Sequence, residues 1–166
     1  MHAFDIDGDG DNDVVTSYHA HGYGLVWFEN QSVKDGEIQF KRHVIMGERP
    51  EDNEFGIRFS QLHALAIADM NQDGVLDLIT GKRYWAHGPK GDVEPNAPAV
   101  LYWFQTVRSS TDHSVRFIPH KVDDDSGVGT QVSVGYINGD SYPDIMVGNK
   151  KGTFVFLSQT SRKGDK

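Results

Sequence analysis

An acidic nine-residue pattern recurs three times along the chain. Its copies begin at residues 5, 69 and 136, a period of about 65 residues. That interval is too long for a hairpin and suits a repeated supersecondary unit. The first copy sets Asp5, Asp7, Asp9 and Asp13 at positions one, three, five and nine, with Gly10 at six and Asp11 at seven. The second sets Asp69, Asn71, Asp73 and Asp77 at the same places, with Gly74 at six and Val75 at seven. Calcium is a hard cation that takes six to eight oxygens, and side chains at alternate loop positions supply them from one concave side. The pattern therefore predicts calcium as cofactor. Its expected ligands are Asp5, Asp7, Asp9, Asp13, Asp69, Asn71, Asp73 and Asp77, with the backbone carbonyls of Asp11 and Val75. The glycine at position six permits the sharp turn.

The third copy departs from this pattern. Tyr136 stands at position one and Ser141 at six, while Asn138, Asp140 and Asp144 remain and Tyr142 supplies the carbonyl position. Weak or absent calcium is expected there. The competing reading of each copy is an Asx-type turn between strands, and only in the third copy is it the stronger one. An EF-hand begins in the same way but needs a bidentate Glu at position twelve and flanking helices. Position twelve is Thr16 in the first copy and Thr80 in the second. A dockerin follows its loop with a helix, whereas Val14-Val15-Thr16-Ser17-Tyr18 is strand-forming sequence.

The repetition continues past the loops. Each runs into a β-branched segment (Val14-Val15-Thr16, Leu78-Ile79-Thr80, Ile145-Met146-Val147) and then an aromatic one around Trp27, Trp103 and Phe154. Phe-x-x-His follows twice, ending in His43 and His120. One repeat thus reads as four short strands, A to D, with the acidic loop between A and B. Four-stranded antiparallel units in tandem predict an all-β fold built of β-propeller blades. The expected repeats are approximately 1–61, 62–129 and 130–160, with 161–166 as a solvated tail. They supply strands A to D, A to D, then A to C. Since propellers close with about four to eight blades, the expectation is a C-terminal part of a longer propeller whose remaining blades are its first partners. An open arc or an oligomer is the alternative.

These segments resemble FG-GAP or VCBS repeats, the calcium-loop blades of integrin-α-like propellers and of many secreted bacterial proteins. The resemblance implies a propeller with calcium in the A–B loops and an extracytoplasmic location (secreted, periplasmic or cell surface). It fixes no single activity.

Composition narrows the remaining classes. There are no cysteines, which excludes a disulfide framework and a thiolate zinc site. The formal charge is −8, and the five aspartates between residues 5 and 13 point to a bound cation, not to a nucleic-acid groove. No apolar run approaches the ~20 residues that cross a bilayer. The opening residues show no signal peptide, which is uninformative for the C-terminal part of a longer chain. No His-Glu-x-x-His, Gly-x-Ser-x-Gly or P-loop motif occurs.

Strand alternation puts the D–A and B–C connections on the face opposite the acidic loops. Insertions near 47–59 and 86–98 enlarge that face, which also holds His19, His21, Asn149, Lys150 and Lys151. Loops on a rigid scaffold are where binding and catalysis concentrate. The first functional reading is an interaction or carbohydrate-recognition scaffold, with a carbohydrate or protein ligand. The alternative is a propeller enzyme resembling sugar lyases and dehydratases, its candidate catalytic residues being His63, Lys82, Arg83 and His87. His43 and His120, at one repeat position, are expected to be structural, and Trp27, Trp103 and Phe28 are expected to pack between blades.

Overall fold

The β-branched and aromatic runs after each acidic loop form strands. A computed structural model describes residues 1–34 and 36–159, with the backbone alone at 32–34. The expected tail at 161–166 lies outside the described residues. Among those described there is no α-helix, and the only helical turn is a short 3-10 turn at Pro50–Asp52.

Three antiparallel sheets follow one another in chain order. The first runs β1 (His2–Phe4), β2 (Asp13–Ser17), β3 (Leu25–Lys34) and β4 (Glu37–Met46), paired in that sequence. The second repeats it with β5 (Leu65–Ala68), β6 (Asp77–Gly81), β7 (Leu101–Arg108) and β8 (Val115–Asp123). The third holds β9 (Val132–Gly135), β10 (Asp144–Asn149) and β11 (Gly152–Phe156). The first strand of each sheet meets the first strand of the next, β1 against β5 and β5 against β9. Sheets that meet along their innermost strands are propeller blades.

Side-chain alternation makes each blade a wall between two cores. On β6, Leu78 belongs to the core shared with the first blade and Ile79 to the core shared with the third, and both are fully buried. The first seam also holds Ile6, Val15, Phe59 and Phe104; the second holds Val128, Ile145 and Val147. Truncating one such side chain to alanine costs about 2–5 kcal/mol.

The repeated aromatic and histidine positions pair within each blade. Trp27 lies opposite His43 and Trp103 opposite His120 in strand register. The rings stack at 4.4 Å and 4.1 Å between centroids. His43 reaches Glu29, and His120 reaches Gln105, the equivalent residue of the next blade. Trp27 is buried in the first seam, and Trp103 packs against the second.

A second repeated device closes each A–B loop. The ninth-position aspartate is buried in all three blades. Through Oδ2 it accepts the backbone N–H at loop position two: Ile6 to Asp13 at 3.1 Å, Met70 to Asp77 at 2.9 Å, Ile137 to Asp144 at 2.8 Å. Through Oδ1 it accepts a backbone N–H at or just past the end of the third strand's pairing: Asn30, Thr106 and Ser158, at 2.7 to 2.9 Å. One carboxylate thus ties three segments of the blade. Asp144 sits in the loop that lacks a first-position acid, so its role can be separated from metal binding. Asp144→Ala is expected to lower the melting temperature equally in calcium and in chelator, measured by circular dichroism. A loss seen only with calcium present would contradict the clamp role.

Candidate functional site

Two constellations stand on opposite ends of the blades. At the A–B end, each loop is a ladder of Asx turns in which an odd-position side chain accepts the N–H two residues on. In the first loop Asp9 N donates to Asp7 at 3.1 Å and Asp11 N to Asp9 at 3.0 Å. In the second, Asp73 N donates to Asn71 at 3.1 Å and Val75 N to Asp73 at 2.9 Å. In the third, Asp140 N donates to Asn138 at 3.0 Å and Tyr142 N to Asp140 at 2.8 Å. The ladder uses one oxygen of each carboxylate and turns the group toward the loop's inner side.

Backbone conformation separates the third loop from the others. Position four is left-handed in all three, at Gly8 (φ 86°), Gln72 (φ 63°) and Gly139 (φ 78°). Position six is left-handed only at Gly10 and Gly74, with φ of 100° and 88°. Ser141 does not adopt it. The sequence reading singled out position six and missed position four, where Gln72 hides the constraint.

The first loop fits a hard cation. Carboxylate oxygens of Asp5, Asp7 and Asp9 lie within 4.8 Å of one another. Burial of Asp7 raises its pKa, and the neighbouring charges of Asp9, Asp13 and Asp5 push it the same way. A divalent ion would relieve that repulsion. In the second loop Asp69 accepts the N–H groups of Asp73 and Gly74 at 3.0 and 2.9 Å. Burial pushes Asp77 up to about 6, with Asp73 and Asp69 adding to it. The third loop shares one bond with the second, Asn138 donating to Asp140 at 2.6 Å as Asn71 donates to Asp73 at 2.8 Å, but places the 65% exposed Tyr136 at position one. The loops are also tied to the next blade. Arg108 at the end of β7 donates to the Ile6 and Asp5 carbonyls, and Gln72 donates to the Ser141 carbonyl.

The opposite end is built from three connections, 18–24, 47–64 and 82–100. Gln61 joins them. It is fully buried with φ of 61°, a left-handed conformation unusual for a residue with a side chain. Its N–H donates to Gly22 O at 2.7 Å, and its carbonyl accepts from the Arg83 and His63 N–H groups at 2.9 Å each. Its side chain donates to Val93 O at 3.1 Å and accepts from Ala86 N at 3.3 Å.

Above this hub, His63, Arg83 and His87 come together with His21 and Asp92. Arg83 donates to His63 Nδ1 at 3.2 Å. His63 meets His21 edge-on at 4.5 Å, and His21 stacks on His87 at 4.5 Å. Asp92 Oδ1 accepts from Nδ1 of both His21 and His87. Lys82 does not join them. It is fully buried under the floor and donates to Ser60 at 3.4 Å, and burial depresses its pKa. Burial, then the charge of Arg83, lowers His63 to about 4. Burial works to raise Asp92, but hydrogen bonds from His87 and His21 outweigh it and hold the carboxyl at about 2. His21 and Asp92 line a cleft of about 590 Å³ with His19, Gly22, Gly91 and Val93. Asp92 and Gln61 escaped sequence reasoning. The one available signal was an acid within the insertion that follows His87.

Residues 5–80 match the FG-GAP-like repeat. That span is an FG-GAP-like repeat. The matched span starts at the first residue of the first acidic loop, contains the second loop, and ends inside β6. The recognised unit is therefore one loop-to-loop period of this chain. No curated protein matches the chain significantly.

His63 gives the chain an acid-sensitive component. Its folded pKa of about 4 lies below the ordinary 6.5, so the unfolded chain binds more protons between those values. That contribution to stability is complete above pH 6.5 and is lost as pH falls toward 4. In metal-depleted buffer, His63→Gln is expected to show a smaller drop in melting temperature from pH 7 to pH 5 than the parent chain. Equal drops would refute this.

Proposed function

We propose that the chain is part of a calcium-stabilised, extracytoplasmic propeller that acts as an interaction scaffold. The observation that carries this reading is the convergence of Asp5, Asp7 and Asp9 in the loop joining the first two strands of a blade. An all-oxygen set of that density suits calcium. Asp5, Asp7, Asp9 and Asp13 would hold it, with the Asp11 carbonyl; Asp69, Asn71, Asp73 and Asp77 would do the same in the second blade, with the Val75 carbonyl. Asp13 and Asp77 can serve both clamp and ion, because a carboxylate offers about four lone-pair sites. The third set, Asn138, Asp140, Tyr142 and Asp144, is read as a turn. Three blades are fewer than the ~4–8 that close a propeller, so further blades of a longer chain are its nearest partners.

On this reading calcium is structural and the ligand, a carbohydrate or a protein surface, meets the opposite face. Tyr84 and Trp85 stack there at 4.6 Å, and Lys151 lies 5.0 Å over the Tyr84 ring. Such an aromatic and cationic patch suits a sugar ring or a polar peptide. A second reading, a propeller enzyme of the sugar lyase or dehydratase kind, draws on the cluster of His63, Arg83 and His87 beside a cleft.

A cation bound only by the folded state stabilises it by RT ln(1 + [Ca]/Kd). For a Kd of ~0.1 mM and ~1 mM calcium that is about 1.4 kcal/mol per site. Chelation should lower the melting temperature, and Asp9→Ala or Asp73→Ala should each remove about one site's share of that response. A melting temperature indifferent to chelator would refute the proposal.

A further inference from the structure

Ligand-type side chains from two blades meet on a single oxygen. His21 Nδ1 lies 3.0 Å and His87 Nδ1 2.9 Å from Asp92 Oδ1, and the three ligand atoms fall within 4.8 Å of one another. We infer that His21, His87 and Asp92 form a site for a divalent transition-metal ion of the zinc class, with one coordination position left for an exogenous oxygen.

The donor set selects the metal. Two imidazoles and a carboxylate suit zinc and its neighbours, while calcium and magnesium want oxygen alone. The spacing agrees. With bonds of ~2.0–2.2 Å, the ligand atoms of a tetrahedral zinc lie roughly 3.3–3.5 Å apart. The observed contacts reach that by a slight opening of the rings, which are 47% and 62% exposed and free to tilt.

The carboxylate is held for this task. The Asp92 side chain is only 5% exposed. Its Oδ2 accepts the His87 backbone N–H at 2.9 Å, which leaves Oδ1 turned to the two imidazoles. Such an outer-shell bond orients a ligating carboxylate. The turn that returns Asp92 to His87 depends on Gly91, where a Cβ would lie 2.6 Å from the His87 carbonyl oxygen. His21 arrives from the neighbouring blade, and its loop is pinned by the Gln61-to-Gly22 hydrogen bond.

Three protein ligands describe an open site, since closed structural zinc sites use four. The cleft of about 590 Å³ beside His21 and Asp92 gives room for a water or a ligand oxygen. His63 packs edge-on against His21 at 4.5 Å, its Nδ1 accepting from Arg83. The ligand class that fits is a small molecule with a metal-seeking oxygen, such as a polyol, a hydroxyketone or a carboxylate. The inference stands apart from the calcium reading, because the acidic loops lie at the other end of the strands.

Metal-free chain, kept in saturating calcium, is titrated with Zn²⁺ by calorimetry and with Co²⁺ by visible absorption. One zinc per chain is expected, with the intense bands of four-coordinate cobalt. His87→Ala and Asp92→Ala should each weaken zinc binding at least about tenfold, whereas Asp9→Ala should leave it unchanged. His87 is exposed, so its variant keeps the test valid if Asp92→Ala does not fold. No zinc binding in calcium would show a simple hydrogen-bonded triad and overturn the inference. Binding of equal strength in His87→Ala, or binding lost in Asp9→Ala, would place the metal elsewhere and overturn it too. Failure of the chelator test with zinc bound as expected would strike only the calcium reading.

Discussion

Each blade turns on one buried carboxylate. Asp13, Asp77 and Asp144 accept backbone N–H groups from the loop behind them and from the third strand of their own sheet or the residues just past it. A buried carboxylate without such donors would cost several kcal/mol; with them it ties segments that are distant in sequence. The clamp fixes where the A–B loop leaves the sheet. It holds the Asx ladder in one orientation, so the odd-numbered acids share a side. It also fixes the register of the second strand against the third, and hence which face Leu78 or Ile79 presents to each seam.

That clamp explains why the blade persists where the acidic pattern is incomplete. The third loop has lost the first-position acid and the left-handed residue at position six, yet Asp144 makes the same bonds as Asp13 and Asp77. Position nine serves the blade in all three copies, and the acid at position one is present only in the first two. A pattern search that weighs all nine positions alike blends the two requirements.

The blades were legible because their signals are local and repeated. Acidic loop, β-branched strand, aromatic strand and Phe-x-x-His recur in order, and the Trp–His stacks of both complete blades follow from that repetition. The left-handed position four was harder to read, since Gln72 carries in the second loop what glycine carries in the others. The opposite face was hardest. It joins residues 21, 63, 83, 87 and 92 from three connections that share no motif. Their meeting depends on Gln61, whose buried amide and left-handed backbone nothing in its sequence context announces. Lys82, adjacent to Arg83 and equally polar, turns the other way and ends under the floor. Alternation along an extended segment settles that outcome, and residue type does not.

The two ends of the blades solve opposite electrostatic problems. At the A–B end, like charges are pressed together on a ladder of backbone amides. At the other end, Asp92 is already balanced by two imidazole N–H donors and one backbone N–H, which is why its carboxyl stays ionised while largely buried. A metal entering there must displace protons, not relieve repulsion. The same strands run between the two ends, so the buried carboxylate at one end and the Gln61 hub at the other brace one set of strands from both sides.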